Sequence, residues 1–136
     1  MPITYTFDAD RRTVRTRCVG DVKVQEVLDH FRTLAADPNC PEYLDVFLDL
    51  SEVESLPKAD QLSMVAERMQ QVRGRVRFGA CAILVTREAL FGMMRMFEVL
   101  AEKAFRVTNT FRVAAEAEAW LANQRTLAQS EPEGPS

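Results

Sequence analysis

An unbroken apolar run constrains most strongly how this chain can fold. The segment "VRFGACAILV", residues 76–85, is apolar at nearly every position instead of at every second one. A strand with this pattern is covered on both faces, which is typical of an interior strand in a parallel sheet. Helices must then cover the sheet, so the pattern predicts an α/β protein.

The segments on either side of this run supply the remaining elements. Alternating residues at 3–7 and 13–19 flank the turn-prone "DAD" and predict a β-hairpin. Further strands are predicted at 44–50 and near 106–113, and amphipathic helices alternate with the later strands, the longest spanning roughly 87–104. Right-handed crossovers then predict a mixed, mostly parallel sheet of four or five strands with about four helices.

Length and composition predict one domain with a polar tail. A chain of 136 residues, 47% of them apolar, is long enough to bury a core without a disulfide or metal. We expect residues 1–125 to form a single α/β domain. The polar segment 126–136 contains two prolines and is predicted to be disordered.

The charge of the chain argues against nucleic-acid binding. The net charge is -3 and the sequence pI is about 5.2, whereas affinity for DNA or RNA depends on clustered lysine and arginine. The exception is "RRTVRTR", residues 11–17. Arg15 and Arg17 would share one face of a strand, so we predict a solvated sheet face, with a patch for an anionic partner as the alternative.

Cysteine spacing and hydropathy indicate a location. The three cysteines are widely spaced and form no CxxC pair, so neither a disulfide framework nor a zinc site is predicted. Free cysteines point to a reducing compartment. No charged leader is followed by an apolar stretch, and no segment approaches the ~20 apolar residues that span a bilayer. We expect a cytoplasmic protein with no integral membrane segment.

Signals for catalysis are weak. His30 is the only histidine and is predicted to lie at the boundary of the first helix's apolar face, and neither GxSxG nor a glycine-rich phosphate loop is present. Asp45 and Asp49 lie four residues apart on one strand and suit acid–base or metal chemistry, but no third ligand lies nearby in sequence. We therefore predict no enzyme, no metal and no cofactor, with Asp49 bonding loop amides; a hydrolase or transferase using Asp49 with Lys58 is a minor alternative.

The segment that joins the third strand to the second helix carries a family resemblance. The strand "DVFLDLS" followed by "EVESLPKADQL" resembles the Asp-Leu-Ser strand end and regulatory loop of STAS domains. The hairpin, the helix "LFGMMRMFEVLAE" and the ending "FRVAAEAEAWL" resemble the SpoIIAA-like branch of that superfamily, whose bacterial members are mostly uncharacterised. The resemblance covers residues 3–123 and implies a mixed four- or five-stranded sheet surrounded by helices.

The same resemblance raises the question of a phosphoswitch. In STAS antagonists, the serine that a partner kinase phosphorylates follows the Asp-Leu-Ser aspartate by about nine residues. Counting from Asp49 reaches Pro57 to Asp60, so the phosphoacceptor is missing, although Ser51, Ser55 and Ser63 remain near the loop. We expect a partner-binding loop that is not switched by a kinase. Its predicted contact residues are Ser55, Lys58, Asp60 and Gln61; a plain strand-to-helix connection is the alternative.

The methionine-rich helix near 87–104 is the second informative segment. On a helical wheel, its core-facing residues are Leu90, Met93, Met94, Phe97, Leu100, Ala101 and Ala104. Phe91 and Val99 fall outside this arc, near Arg95 on the polar stripe, and Met96 lies at the border. Because methionines adapt to irregular neighbours, this helix suits a homodimer contact or a ligand pocket, with plain core packing as the alternative.

Together these features predict a protein that acts by binding. The first hypothesis is a non-enzymatic, STAS-like regulatory or protein-interaction domain that forms a homodimer and binds an unidentified protein partner. The second is a carrier or sensor of a small apolar or lipid-like ligand, held between the sheet and the methionine-rich helix.

Overall fold

The computed structural model describes residues 2–8, 10–72 and 75–130, and it forms one α/β unit. Five strands and four helices follow each other in the order β1 (Ile3–Asp8), β2 (Thr13–Gly20), α1 (Val24–Ala36), β3 (Tyr43–Val53), α2 (Ala59–Val72), β4 (Arg77–Leu84), α3 (Glu88–Leu100), β5 (Phe105–Phe111) and α4 (Ala114–Ser130). The predicted hairpin is β1 and β2, and the alternation of helices with strands is confirmed.

The five strands lie side by side in chain order. β1 is antiparallel to β2, and every other neighbouring pair is parallel. Because each crossover moves the chain one strand further in the same direction, right-handed connections place α1, α2 and α3 on one face. α4 packs on the opposite face, mainly against β4. The predicted mostly parallel α/β sheet with an N-terminal hairpin and about four helices is therefore confirmed.

The apolar run at residues 76–85 forms the interior strand β4, which lies between β3 and β5. Alternate side chains of this run enter the two cores. Phe78, Cys81, Ile83 and Val85 belong to the larger core, and Ala80, Ala82 and Leu84 to the smaller core beneath α4. All of them are buried, which explains why the run has no polar alternation.

The larger core lies between the sheet and the three helices on its first face. Each helix contributes a side chain that is only 1% exposed: Leu34 from α1, Met69 from α2 and Leu90 from α3. Burying one such side chain contributes roughly 1.5–3 kcal/mol relative to leaving it in water. These three anchors fix the helices against the sheet.

A buried carboxylate lies at a β-bulge between β3 and β4. The strand register shifts between Leu44 and Val46, and there the backbone N–H of Ala80 donates to Asp45 Oδ1 at 2.8 Å. Asp45 is 2% exposed, and burial raises the pKa of its carboxyl group. Asp45 thus supplies an acceptor where the bulge disrupts the ladder.

Two predicted helix ends differ from the structure. α4 continues to Ser130, so residues 126–130 are helical and not part of a disordered tail; residues 131–136 lie outside the described part of the chain. Residues 121–130 contain no glycine or proline, and most of them are good helix formers. α3 ends at Leu100, earlier than predicted, because residues 101–104 form a turn whose Ala101 is fully buried.

Candidate functional site

A cavity of about 460 Å³ lies between the sheet and α1, α2 and α3. It occupies the edge where the parallel strands end and the next helices begin, the usual position of ligands in open α/β sheets. The apolar side chains of its wall include Leu48 and Leu50 of β3, Val27 and Phe31 of α1, Leu62, Val65 and Met69 of α2, and Leu90, Met94 and Phe97 of α3. Its volume falls within the range of roughly 300–1,000 Å³ that small-molecule sites occupy.

Two loops form the mouth of this cavity: residues 21–23 before α1, and residues 55–58 before α2. Ser55 connects the two loops. The Ser55 hydroxyl accepts a hydrogen bond from the Val22 N–H at 3.0 Å and donates one to the Val22 carbonyl at 3.1 Å. The Glu54 N–H also donates to the carbonyl of Gly20, whose φ of 76° favours glycine.

The structure brings three of the four predicted loop residues together. Ser55, Lys58 and Gln61 all line the cavity, and the Lys58 backbone N–H donates to Gln61 Oε1 at 2.9 Å at the start of α2. The exposed Asp60 does not line it. The Lys58 ammonium has no carboxylate partner among the residues that the structure describes.

A polar pair lies on the otherwise apolar inner wall. His30 Nε2 and Thr16 Oγ are 3.2 Å apart, and the two residues are 8% and 2% exposed. Burial lowers the pKa of His30 to about 4, so the imidazole is neutral at physiological pH. The aromatic rings of Tyr5 and Phe31 pack against it at centroid distances of 5.3 and 5.1 Å. The predicted boundary position for His30 is therefore wrong: the ring is buried and faces the cavity.

Sequence reasoning missed α1 and β2 as parts of the site. Two signals were present: Thr16 lies on the inward face of β2 between Val14 and Cys18, and His30 follows Val27 at helical spacing. Neither signal indicates that the two elements touch. The contact depends on how α1 crosses the sheet, because Thr16 and His30 lie on different elements.

The four predicted contact residues of α3 do not line this cavity. Phe91 is half-buried, and the Arg112 guanidinium lies over its ring, 4.0 Å from the centroid. Arg95 contacts Glu98 and Asn109. The side chains that remain exposed form an apolar turn on α3, with Met96 44%, Val99 65% and Leu100 37% exposed. Phe91 is thus covered, and Leu100, predicted to face the core, joins the surface instead.

The arginines of β2 are paired on the opposite face of the sheet. Arg15 donates to both carboxylate oxygens of Glu118 on α4, at 2.9 and 2.6 Å, and its guanidinium lies 5.0 Å from the centroid of the Phe47 ring. Arg17 forms an ion pair with Glu52. Arg17 is exposed, as predicted for a solvated sheet face, whereas Arg15 is partly covered by α4.

The Asp-Leu-Ser strand end serves a local structural purpose. Asp49 Oδ1 accepts hydrogen bonds from the Ser51 N–H at 2.9 Å and the Ser51 hydroxyl at 2.6 Å, as predicted for a carboxylate that bonds the loop. The Ser51 carbonyl accepts from the Thr86 hydroxyl at 3.1 Å. The polar groups at this join therefore connect the ends of β3 and β4.

The described ranges contain no group of three or more His, Cys, Asp or Glu side chains suited to hold a metal ion. No helix within them combines the length and apolar character needed to cross a bilayer.

Comparison with known proteins gives no relative: no family model matches the chain, and no curated protein or solved structure matches it either. Functional inference therefore depends on the chemistry of the cavity and of the exposed surfaces.

Proposed function

We propose that this protein is a non-enzymatic carrier or sensor that binds a small apolar molecule in the cavity between the sheet and α1–α3. The observation that supports it is the cavity itself, about 460 Å³ in volume and lined mainly by Leu, Val, Phe and Met side chains. An engineered cavity of about 150 Å³ is enough to bind benzene. The site thus has room for a ligand roughly three times larger.

The chemistry of the lining also favours an apolar ligand. A ligand that packs against these side chains gains dispersion contacts, which are individually small and collectively large. Met69 and Met94 have flexible thioether side chains, which adapt to ligands of different shape. A bound apolar molecule makes these contacts and removes its own surface from water.

The mouth favours an amphiphile oriented with its polar end outward. Lys58, Ser55 and Gln61 lie at the rim, whereas Leu62, one helical residue further, already lies on the apolar wall. A ligand can therefore keep a polar group in contact with water while its apolar body enters the core.

A size-blocking variant tests this proposal. Val27→Phe enlarges a half-buried side chain on the cavity wall, and Val99→Phe makes the same change on an exposed surface away from it. With an environment-sensitive apolar fluorophore as the probe, we expect Val27→Phe to weaken binding about tenfold or more, and Val99→Phe to leave it unchanged. Equal binding by both variants, with unchanged far-UV circular dichroism, would refute the cavity as the binding site.

A protein-interaction function is the second candidate, supported by the exposed apolar turn of α3 formed by Met96, Val99 and Leu100. Contiguous exposed apolar groups mark interfaces more often than isolated ones. We infer a homodimer through this turn. A Met96→Ser, Val99→Asp variant should then be monomeric in light scattering, and a monomeric wild type at high micromolar concentration would contradict the interface.

Membership in the STAS superfamily remains our proposal for the family. The sequential mixed sheet and the Asp49–Ser51 strand end of β3 support it. A regulatory function in the cytoplasm of a bacterium accompanies that proposal, and the three free cysteines, two of them buried, are consistent with a reducing compartment.

A further inference from the structure

The polar pair on the inner wall of the cavity has an unused hydrogen-bonding position. His30 and Thr16 both line the cavity, and the only side-chain hydrogen bond of either residue among the described residues joins Nε2 to the threonine hydroxyl. The second ring nitrogen, Nδ1, has no partner in that part of the chain. Nδ1 is not enclosed either, because the Tyr43 hydroxyl is the only enclosed side-chain polar atom without a partner in the described part of the chain. Since His30 lines the cavity, this accessible nitrogen is placed at the cavity wall.

Counting donors and acceptors assigns the tautomer. If Nε2 carried the proton and donated to Thr16, the buried hydroxyl hydrogen would lack an acceptor, and the Nδ1 lone pair would lack a donor. If the Thr16 hydroxyl donates to an unprotonated Nε2, only one group remains unsatisfied, the Nδ1–H. Leaving the buried Thr16 hydroxyl without an acceptor is costly, whereas the Nδ1–H is not enclosed, so the second arrangement is favoured. The ring then presents a donor to the cavity.

We propose that the ligand of this cavity carries an uncharged hydrogen-bond acceptor, such as a ketone or ester carbonyl oxygen, which accepts the Nδ1–H of His30. This inference rests on the proposed binding function and specifies the chemistry of the ligand. The acceptor satisfies the one polar group that the fold leaves open inside the apolar wall.

The surroundings select an uncharged acceptor over a carboxylate. His30 is neutral, and Tyr5 and Phe31 place aromatic surface against its ring. A carboxylate moved to this position would lose its hydration with no cation nearby, which is far more costly than moving a carbonyl group. The lysines of the site, Lys23 and Lys58, lie at the mouth, where a charged end stays in water.

The tautomer can be measured directly, because the chain contains a single histidine. In tag-free, ¹⁵N-labelled protein at about pH 7, two-bond ¹H–¹⁵N correlation spectra should show Nδ1 protonated and Nε2 unprotonated. Hexanophenone, an aryl ketone, should shift the Nδ1 resonance, and hexylbenzene, which lacks only the carbonyl oxygen, should shift it much less. A ring protonated at Nε2 would overturn the proposal.

Binding of the same two probes supplies the second test, with His30→Phe, Thr16→Val as the variant that removes the pair without leaving an orphaned hydroxyl. Comparing each probe between wild type and variant cancels the different hydration of the two molecules. Loss of one hydrogen bond should weaken hexanophenone binding by roughly 3- to 10-fold and leave hexylbenzene within about 2-fold. Met94→Leu, a control change elsewhere on the wall, should alter both probes alike.

The outcomes separate the two proposals. If both probes bind wild type and the double variant changes them equally, the His30 anchor is refuted while the apolar site stands. If neither the fluorophore nor either probe binds wild type, the binding function and the anchor are both refuted.

Discussion

Burial of His30 should make the stability of this protein depend on pH in a specific direction. Desolvation lowers the pKa of His30 from 6.5 to about 4, so the folded chain keeps the ring neutral where the unfolded chain takes up a proton. Protonation then stabilises only the unfolded state. Full stability is present above about pH 6.5 and is lost as the pH falls toward the folded-state pKa.

The size of this effect follows from the two pKa values. A difference from 6.5 to about 4 corresponds to about 3 kcal/mol once both states are protonated. By about pH 5, nearly all unfolded chains and few folded chains carry the proton, and the loss is about 2 kcal/mol. A loss of about 2 kcal/mol is a substantial share of the roughly 5–15 kcal/mol that is typical of a domain.

The assay is urea unfolding of wild type and His30→Gln at a series of pH values between about 7 and about 5. Glutamine can bond the Thr16 hydroxyl but does not titrate, so the change lowers stability by a nearly constant amount, about 1 kcal/mol. The carboxylates titrate in both proteins, and their contribution cancels in the difference. The difference in stability should change by about 2 kcal/mol, so that wild type is about 1 kcal/mol more stable at about pH 7 and the variant about 1 kcal/mol more stable at about pH 5. Parallel curves would show that His30 is not buried and neutral.

Three further predictions concern packing, the mouth and the bulge. In urea unfolding, Gly79→Ala should destabilise the fold by about 2 kcal/mol or more, because the added Cβ would overlap Tyr43 and Asp45. The control Gly92→Ala lies on an open helix surface and should be neutral or stabilising by up to about 1 kcal/mol. Equal effects of the two substitutions would contradict the close packing at the bulge. Ser55→Ala should speed the dissociation of a bound fluorophore in stopped-flow measurements, since it removes both hydrogen bonds between Ser55 and Val22. An unchanged dissociation rate would show that these bonds do not restrict the mouth of the cavity. Because burial raises the pKa of the Asp45 carboxyl, wild type should lose stability as the pH rises through that pKa, and Asp45→Asn should reduce this loss. If the free energy of unfolding depends on pH equally in the variant and in wild type, the pKa of Asp45 is not raised.

The fold class could be predicted because the order of apolar and polar residues along a strand or helix depends on which of its faces are buried. An interior strand has two covered faces, and the run at 76–85 carried apolar residues for both. Alternation likewise identified the inward side of β2, and helical spacing placed Leu90, Met94 and Phe97 toward the core. Element ends were less accurate, because helix propensity did not show that α4 would continue or that the chain at Ala101 would turn into the core.

The tertiary structure alone decided where a ligand can bind. A hydrophobic pattern shows which side of an element is covered, but it does not show how completely the facing surfaces fill the space between them. The sequence placed Ser55, Lys58 and Gln61 beside one strand end; the fold added Val22 from another loop and His30 from α1. The cavity and its open ring nitrogen exist because three helices cross one sheet at fixed distances, and those distances are set by packing between elements that lie far apart in the chain.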